Sequence, residues 1–585
     1  MRPVRWGSDR SSMRPKKTLA LLLVAAACST ASQATGDFPS TVEPLAPVAT
    51  QPPLAMRDRP AWLEAACGLP LEHLRRIKRG YYRGRSPDLF LVPREPHFFG
   101  RFFSTTHSGP WQYVQEVPLV FYGPGFVEPQ GTLDLQRRVT LADLAPTMAR
   151  LLRMGWPKER SGRAVKEALV PESERPRAPR LVVQVVWDGG GWNVLNRWPN
   201  AWPYLRSLME GGTSVAGVEV GSSPSVTPAI HATMGTGEFP RRHGVVDIYM
   251  RKADGEVKGA LTGQPPEELE LTTVADVFDH RNDNRPKVGA ITYRYFHLGM
   301  MGHGAMLDDA DRDFVAIAAR ESGDKVTGPG RLITNRDLYK LPYYLDNVPG
   351  WEEDLRSVDV KDGKLDSRWM GKGDLTDPTS VRHSPVWVLY QTRLIKELIA
   401  RENFGANRTT DLFFTNYKQV DDVGHDYNMV EPQMREILKY SDAALEDLTS
   451  WLDRKVGAGK WVLALTADHG QQPSAQALDA WPIGITPLQK DIARRFGTSY
   501  EKLFDGERPV GVWVDNEVQR TEDVTLAQMA EFVLGYTIGD NMESTEGVPD
   551  EYLDRRREKL FAAAFPSKKM GKVWDCAVAR SASAA

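Results

Sequence analysis

The sequence predicts an α/β protein with a central, mostly parallel sheet and helices on both faces. Three short apolar runs, at residues 181–187, 411–416 and 461–466, are rich in β-branched and aromatic side chains and read as buried strands. Each run leads into polar residues, and a stretch with helical spacing at 431–454 separates the last two runs. Strands that alternate with helices favour parallel pairing, and such sheets bind ligands at the carboxyl ends of their strands.

Length and composition agree with one elaborated α/β domain. The chain has 585 residues, of which 41% are hydrophobic and 26% charged, so it can bury a large core. The 74 basic and 76 acidic residues leave a net charge of −2, which excludes a strong overall field for nucleic acid. No nucleic-acid-reading motif is present in the sequence. Three cysteines exclude a disulfide scaffold and a cysteine-based zinc cluster.

The N-terminus has the pattern of an export signal. Basic residues at positions 14, 16 and 17 precede an apolar run at 19–27, which is shorter than the ~20 residues that span a bilayer. Small residues follow the run, so we expect a signal peptide within residues 1–34. Residues 35–60 are rich in proline and predict a tether.

Two cleavage sites fit this signal. The run Ala25-Ala26-Ala27-Cys28 resembles a bacterial lipobox, which would attach a lipid to Cys28 and anchor the protein to a membrane. The run 32–34 (SQA) suits ordinary signal peptidase. The first site predicts a periplasmic or cell-envelope lipoprotein and the second a secreted protein, and both remain open.

Candidate metal ligands follow the three predicted core strands. They are Asp188 after the first strand, Asp421 with His425 after the second, and Asp468 with His469 after the third. Carboxylate oxygens and imidazole nitrogens are the usual ligands of zinc and similar ions. Any one of these pairs is a weak signal, but all three at one edge of a sheet predict a metal centre.

A candidate nucleophile lies between the first two of these strands. The residues before and after Thr227 (PSVTPAIH) predict a helix that begins near Thr227. A hydroxyl at a helix N-terminus faces free N–H groups and the positive end of the helix dipole, which suits a phosphoryl group. Alone, Thr227 would be read as a helix cap; beside metal ligands it is a candidate nucleophile.

These motifs resemble a known family. Asp188-Gly189, residues 223–244, the Asp421-x-x-Gly-His425 pattern and residues 467–470 (ADHG) resemble the type I phosphodiesterase / nucleotide pyrophosphatase branch of the alkaline phosphatase superfamily. The resemblance implies an alkaline-phosphatase-like fold, two zinc ions and Thr227 as the nucleophile. It assigns one zinc ion to Asp188, Thr227, Asp468 and His469. It assigns the other to Asp421, His425 and a further histidine.

The further histidine normally follows the Asp-His-Gly motif, yet no histidine follows His469. Upstream, residues 86–147 resemble the C-terminal segment of the same family, and this segment contains His107 in the run 105–110 (TTHSGP). The resemblance therefore implies a circular permutation in which His107 is the last zinc ligand. We expect the following parts: the permuted segment 61–170, the core with the nucleophile at 180–299, a cap insertion at 300–385, the core with metal ligands at 386–470, and a peripheral elaboration at 471–585.

Two details follow from the proposed permutation. The new chain ends should lie near each other, because they come from a once-continuous segment. Cys67 and Cys576 stand near these ends, so they are either a disulfide of an exported protein or two unrelated thiols. In the C-terminal elaboration the pattern predicts helices at 526–534 and 550–565.

The substrate class stays less defined. The diesterases of the family place an asparagine where this chain has Ile248, and the Lys-x-Arg clamp of some monoesterases corresponds to residues 293–295 (YRY), which leaves Arg294 as a candidate phosphate contact. The sulfatase motif is missing. We expect a small phosphoester substrate, of phosphodiester or nucleotide type; the alternatives are a phosphomonoesterase and a metal-binding protein without activity. Of the other histidines, His231 and His243 are read as structural, while His297 and His303 are candidates to line the site.

Overall fold

The structure is a computed structural model that describes residues 59–101, 106–175, 178–263, 266–318, 328–521, 524–544 and 548–584. The predicted signal peptide, Cys28 and nearly all of the predicted tether lie outside the described residues. Within the described ranges, no helix combines the length and the apolar character needed to span a membrane.

The predicted sheet is confirmed. It is a large mixed sheet whose central five strands run parallel, and a short antiparallel strand follows them on one side. In spatial order its strands are Leu332–Ile333, Asp313–Ala318, Val288–Thr292, Asp411–Tyr417, Leu181–Trp187, Trp461–Thr466, Leu119–Tyr122, Thr213–Val215 and Gly131–Leu133, with Tyr339–Lys340 paired to Asp313–Ala318.

Side chains of the central strand Leu181–Trp187 alternate between two apolar layers. Val183, Val185 and Trp187 enter one core, and Val182 and Val186 enter the other. Because both faces are covered, every residue of this strand is buried, and the sequence shows a continuous apolar run rather than alternation.

Helices cover both faces, as expected for this fold class. One face carries Pro203–Gly211, Pro385–Arg401 and Pro432–Leu452. The other carries Leu144–Leu151, Thr227–Thr236, Val274–Arg281 and Leu298–Met301. Other helices are Gln112–Gln115, Trp192–Arg197, Pro240–His243, Trp351–Asp359, Pro378–Arg382, Gln419–Tyr427 and Ala475–Leu478. Two-stranded pairs are Phe98–Phe99 with Pro482–Ile483, Val139–Thr140 with Val218–Glu219, Tyr249–Arg251 with Val257–Gly259, and Arg368–Trp369 with Gly373–Asp374.

A second, antiparallel sheet joins the two ends of the described chain around its own apolar core. Its strands are, in order, Phe504–Arg508, Gly511–Val514, Leu89–Pro93 and Phe561–Pro566. The helices of this part are Ala61–Cys67, Leu71–Gly80, Ile485–Arg495, Tyr500–Leu503, Asn516–Thr521, Leu526–Gly535, Ile538–Asn541, Asp550–Asp554 and Met570–Ala584.

The structure differs from the sequence expectations in two places. Asp313–Ala318, which falls in the stretch 300–385 expected as a cap, is a strand of the central sheet and pairs in parallel with Val288–Thr292. The helix expected at 550–565 is wrong: it ends at Asp554, and Phe561–Pro566 is a strand that pairs with Leu89–Pro93. In that segment the tertiary pairing overrides the helical propensity of its alanines.

Cys67 and Cys576 form a disulfide between the helices Ala61–Cys67 and Met570–Ala584. Their Cα atoms lie 5.6 Å apart although 509 positions separate them in the sequence. The two ends of the described chain are therefore adjacent.

Removing this disulfide is expected to lower the free energy of unfolding by about 2–5 kcal/mol, because the bond closes a very long loop of the unfolded chain. The measurement is urea unfolding of the Cys67→Ser/Cys576→Ser double variant beside the parent protein. A control without the substitutions, unfolded with and without reductant, should reproduce the difference. Identical midpoints in all samples would show that the bond does not form.

Candidate metal centre and active site

The three core strands deliver their polar residues to one point at the carboxyl edge of the sheet. Asp188 directly follows Leu181–Trp187, and Asp468 and His469 follow Trp461–Thr466. After Asp411–Tyr417 the chain enters the helix Gln419–Tyr427, which places Asp421 and His425 one turn apart on one face. All of these side chains are buried except that of His425, which is 34% exposed.

His107 reaches the same point from the segment that precedes the core. Its Nε2 atom lies 3.6 Å from Oδ1 of Asp421, and its ring stacks on that of His469 with 3.4 Å between the centroids. Its Nδ1 atom lies 2.7 Å from the carbonyl oxygen of Ser225, and the Ser225 hydroxyl donates to the carbonyl of His107 at 2.5 Å. These reciprocal bonds hold His107 beside Ser225, just before the start of the helix Thr227–Thr236.

Two groups of ligand atoms form in this arrangement. The candidate ligand atoms of His107, Asp421 and His425 all lie within 4.8 Å of one another, and so do those of Asp188, Asp421 and His469. Nε2 of His469 lies 3.6 Å from Oδ1 of Asp188 and 3.4 Å from Oδ2 of Asp468. The side chains that the sequence predicted as ligands are thus brought together.

The hydrogen bonds around these groups fit a bound divalent cation. Nδ1 of His107 faces a backbone carbonyl, as does Nδ1 of His469, at 2.9 Å from the oxygen of Gly470. A ring that donates from Nδ1 presents a lone pair at Nε2, and here each Nε2 faces a carboxylate. Nε2 of His469 and Oδ2 of Asp468 are buried without a hydrogen-bond partner. A cation between them would satisfy both atoms, and the imidazole and carboxylate set suits zinc.

Thr227 is the first residue of the helix Thr227–Thr236, as the sequence predicted. It is 2% exposed, and its Oγ1 atom lies 3.2 Å from Nζ of Lys418. His231, one turn along the same helix, has Nδ1 2.8 Å from the carbonyl oxygen of Thr227. The hydroxyl is therefore held at the helix N-terminus and faces the ligand groups.

Lys418 lies at the centre of this site, although the sequence analysis did not single it out. Its ammonium donates to Oδ1 of Asp188 at 2.8 Å and to Oδ2 of Asp421 at 2.5 Å, in addition to its contact with Thr227. The side-chain amide of Asn416 donates to the other oxygen of Asp188 at 2.9 Å. Both carboxylates are thus oriented by donors from the end of the strand Asp411–Tyr417.

The charges in the site shift the pKa values of its carboxyl groups. Burial raises the pKa of Asp188, but the Lys418 ammonium and the nearby His297 outweigh it and hold that pKa below its usual value. Burial also raises the pKa of Asp421, but the charges of His425 and Lys418 outweigh this effect and hold that pKa well below its usual value. At Asp468, burial and the charge of Asp188 raise the pKa to about 7. Without a cation beside it, the negative charge of Asp468 is therefore stabilised less by its surroundings than the charges of Asp188 and Asp421.

A cavity of about 510 Å³ opens above these residues. His107, Thr227, Lys418, Asp421 and His425 are among the residues that line it on the side of the ligand groups. The remaining lining includes apolar and aromatic side chains and one cation, namely Ile248, Tyr249, Arg294, Tyr295, Phe296, Ile317 and Ile333. Arg294 lies over the ring of Tyr293, with 4.6 Å from its guanidinium carbon to the ring centroid. Thr227 therefore borders a cavity whose lining combines the candidate ligand groups with apolar and aromatic side chains.

The remaining histidines of the notable motifs lie around this site. His243 is buried, with Nε2 3.1 Å from the hydroxyl of Thr233, as a structural residue would be. His297 is buried 3.5 Å from Oδ2 of Asp188, and His303 is bound to Asp276 at 2.8 Å; neither of them is among the residues that line the cavity. Of the two candidates, His297 is the one that reaches a predicted ligand.

The comparison with protein families decides the identity of this arrangement. The family model of type I phosphodiesterase / nucleotide pyrophosphatase matches residues 182–483. The chain belongs to this family. The matched region contains every predicted ligand except His107. Membership identifies the protein as a hydrolase that acts on phosphoric ester bonds.

Individual relatives are distant. The chain is 22% identical over 399 residues to the alkaline phosphatase PafA of Elizabethkingia meningoseptica, and this match covers 61% of this chain and 72% of that protein. It is also 22% identical over 360 residues to the alkaline phosphatase PhoV of Synechococcus elongatus, and this match covers 52% of this chain and 62% of that protein. The crystal structure of wild-type PafA aligns with a TM-score of 0.48 and 17% identity over 67% of this chain and 85% of that one.

Three polar residues of this family member escaped the sequence analysis. They are Lys418, Asn416 and Gln471, whose amide nitrogen donates to Oδ1 of Asp421 at 2.7 Å. Two of them stand at the carboxyl end of a core strand, and the third follows the Asp-His-Gly motif. Position at a strand end is the signal that could have identified them, because the same reasoning selected the ligands.

Proposed function

We propose that this phosphoric ester hydrolase is an exported enzyme that uses Thr227 as its nucleophile and two zinc ions. One ion would be held by Asp188, Thr227, Asp468 and His469, and the other by Asp421, His425 and His107. The observation that carries the proposal is the convergence of these side chains from separate parts of the chain, together with two buried atoms among them, Nε2 of His469 and Oδ2 of Asp468, that lack hydrogen-bond partners. An arrangement with those unpaired atoms is costly unless a ligand binds there.

The chain order of this family member is, we infer, circularly permuted. The match to the family begins at residue 182, directly at the central strand Leu181–Trp187. Upstream residues nevertheless complete the core: Leu119–Tyr122 pairs with Trp461–Thr466, and His107 adjoins Asp421. The disulfide between Cys67 and Cys576 agrees with ends that once were continuous.

The reaction would proceed in two displacements at phosphorus. Oγ1 of Thr227 forms a bond to phosphorus, its proton passes to solvent, and the bond to the leaving oxygen breaks. A water molecule then attacks the phosphothreonine, the bond between phosphorus and Oγ1 breaks, and phosphate or a monoester departs. The N-terminus of the helix Thr227–Thr236 directs its positive end at the transferred group.

The protein's part in these steps is positional and electrostatic. Zinc bound between the ligands would supply Lewis-acid stabilisation of the negative charge that develops on the phosphoryl oxygens. Asn416 and Lys418 fix both oxygens of Asp188, and the carbonyl oxygens of Ser225 and Gly470 orient the rings of His107 and His469. Such outer contacts hold ligands in one geometry before substrate binds.

The cavity supports a phosphodiester or nucleotide-like substrate. Tyr249, Tyr295 and Phe296 line it beside Thr227, so an organic group attached to phosphorus would have an apolar surface to contact. A phosphomonoester is the second candidate. It is favoured by Ile248, which stands in the cavity where diesterases of the family have asparagine, and by the similarity to proteins named alkaline phosphatases.

Export rests on the N-terminal pattern together with the disulfide, because disulfides persist mainly in oxidising compartments. Lipid attachment at Cys28 and cleavage after residue 34 give two different mature forms. The mass of the purified mature protein distinguishes them.

Purified protein is expected to hydrolyse aryl phosphate esters only with its metal bound. Rates would be measured on an aryl monoester, an aryl diester and an aryl sulfate, before and after chelation and after zinc is restored. We expect faster turnover of the diester than of the monoester, and no turnover of the sulfate. A higher rate on the monoester would favour the second candidate. Absence of metal-dependent hydrolysis of every ester would contradict the enzyme assignment and favour a metal-binding protein without activity.

A further inference from the structure

The cation of Lys418 has an unusual position for a lysine. Its side chain is 10% exposed and lines the cavity together with Thr227 and Asp421. Its ammonium has three N–H donors, and three acceptors surround it: Oδ1 of Asp188, Oδ2 of Asp421 and Oγ1 of Thr227. A buried charge with all of its donors used is a defined site rather than a chance contact.

The acceptors around Lys418 locate it relative to the reaction. Asp188 belongs to one proposed ligand set and Asp421 to the other, so the ammonium lies at the junction of the two sets. Its third partner, at 3.2 Å, is the oxygen atom that forms and breaks the bond to phosphorus in the proposed function. Lys418 therefore touches a reacting atom.

The residues at the two positions that the family resemblance aligns with phosphate contacts are Ile248 and Arg294, and both line the cavity. Ile248 offers no hydrogen bond at its position, and the guanidinium of Arg294 lies over the ring of Tyr293. Lys418, directly after the strand Asp411–Tyr417, instead supplies a positive charge in the cavity, in contact with Oγ1 of Thr227.

We propose that Lys418 is a catalytic residue that stabilises Oγ1 of Thr227 as the leaving oxygen when the phosphothreonine is hydrolysed. This inference rests on the proposed function. In that step water forms a bond to phosphorus and releases a proton to solvent, the bond between phosphorus and Oγ1 breaks, and its electron pair returns to Oγ1, which takes up a proton from solvent and becomes the hydroxyl again. The N–H of Lys418 already directed at this atom donates to the negative charge that develops there. A charged hydrogen bond gains most strength when charge appears in a site that excludes water.

The test uses the full-length zinc-loaded protein with Lys418→Met, which keeps the length of the side chain and removes the charge. In buffer with excess zinc, which offsets the loss of about 10–100-fold in metal affinity that removal of an outer contact can cause, we expect full zinc content, a KM for an aryl phosphate within about threefold, and a kcat lower by about 10²–10³-fold. Because the second displacement is slowed, phosphorylated Thr227 should accumulate, and intact mass after an acid quench measures it. Lys287→Met is the matched control, because the ammonium of Lys287 also makes hydrogen bonds, to Glu402 and Asn403, outside the cavity.

Further variants keep the proposal falsifiable if Lys418→Met does not fold. Lys418→Ala with added methylammonium should regain at least about tenfold in kcat, and Lys418→Arg should keep more activity than Lys418→Ala. An unchanged kcat would overturn the proposal. So would loss of activity in proportion to lost zinc, or a lower kcat with no phosphothreonine and no rescue by amine. The wild-type assay separates this result from the proposed function: an inactive wild type contradicts both, whereas an active wild type with fully active variants contradicts only the role of Lys418.

Discussion

Replacing Thr227 with alanine is expected to lower kcat/KM for phosphate esters by about 10³-fold or more, because the substitution removes the oxygen that attacks phosphorus in the proposed function. The change deletes one hydroxyl whose contact in the site is the ammonium of Lys418. The remaining residues proposed to bind the two metal ions stay in place. The measurement is the rate on an aryl diester together with zinc content and a thermal melt.

Two variants in the same helix control this result. Thr227→Ser retains a hydroxyl at the same position and should keep measurable activity. Thr236→Ala removes another buried threonine hydroxyl, which bonds to the carbonyl of Ala232 at the far end of the helix, and should leave the rate within a few-fold of wild type. Full activity of Thr227→Ala would show that another group attacks phosphorus.

Replacing His107 with alanine is expected to remove one of the two zinc ions and to lower kcat/KM by about 10²-fold or more. His107 supplies one of the three groups, with Asp421 and His425, that the proposal assigns to the second ion. Loss of a direct ligand lowers the affinity for that ion far more than loss of an outer contact, which already lowers metal affinity by about 10–100-fold. Zinc per protein chain, measured after dialysis, reports the change independently of activity.

His280→Ala is the control for His107→Ala, because His280 is exposed at the end of the helix Val274–Arg281. It should retain both zinc ions and full activity. Two zinc ions in His107→Ala would refute the ligand role of His107 and remove the main support for the permutation.

The permutation also has a direct test in chain order. A variant that begins at Arg180 and carries residues 61–170 behind Ala585 through a short linker restores the order of the family. Because Cys67 and Cys576 are adjacent, such a linker spans a short distance, and the variant is expected to fold with unchanged zinc content and rate. An insoluble product would argue against adjacency of the ends as the reason for the present order.

The sequence predicts which edge of the sheet carries the site, because the signals for it lie within short stretches of the chain. An apolar run that ends in Asp188 or in Asp468-His469 is both a buried strand and a polar strand end, and parallel strands bring such ends together. The spacing of Asp421 and His425 likewise matches one turn of the helix Gln419–Tyr427. Local periodicity and strand polarity are enough for this part of the site.

Other features depend on contacts distant in sequence. A lysine that follows a strand normally extends into solvent. Lys418 is buried instead because it forms ion pairs with Asp188 and Asp421, and these contacts are not visible in the local sequence. Phe561–Pro566 is rich in alanine and reads as a helix, yet it completes a sheet with Leu89–Pro93 from the other end of the chain. Asp313–Ala318 begins with a charged residue and follows an aspartate-rich stretch, so its sequence does not indicate a core strand. Its pairing with Val288–Thr292 in the structure places it in the central sheet.

The central claim, that this chain builds a two-zinc site around Thr227 with a ligand from its upstream segment, is tested most directly by anomalous diffraction from crystals of the zinc-loaded protein. The account predicts two zinc peaks. One lies among His107, Asp421 and His425, and the other among Asp188, Asp468, His469 and Oγ1 of Thr227. A single peak, or a second ion without His107 as a ligand, would contradict it.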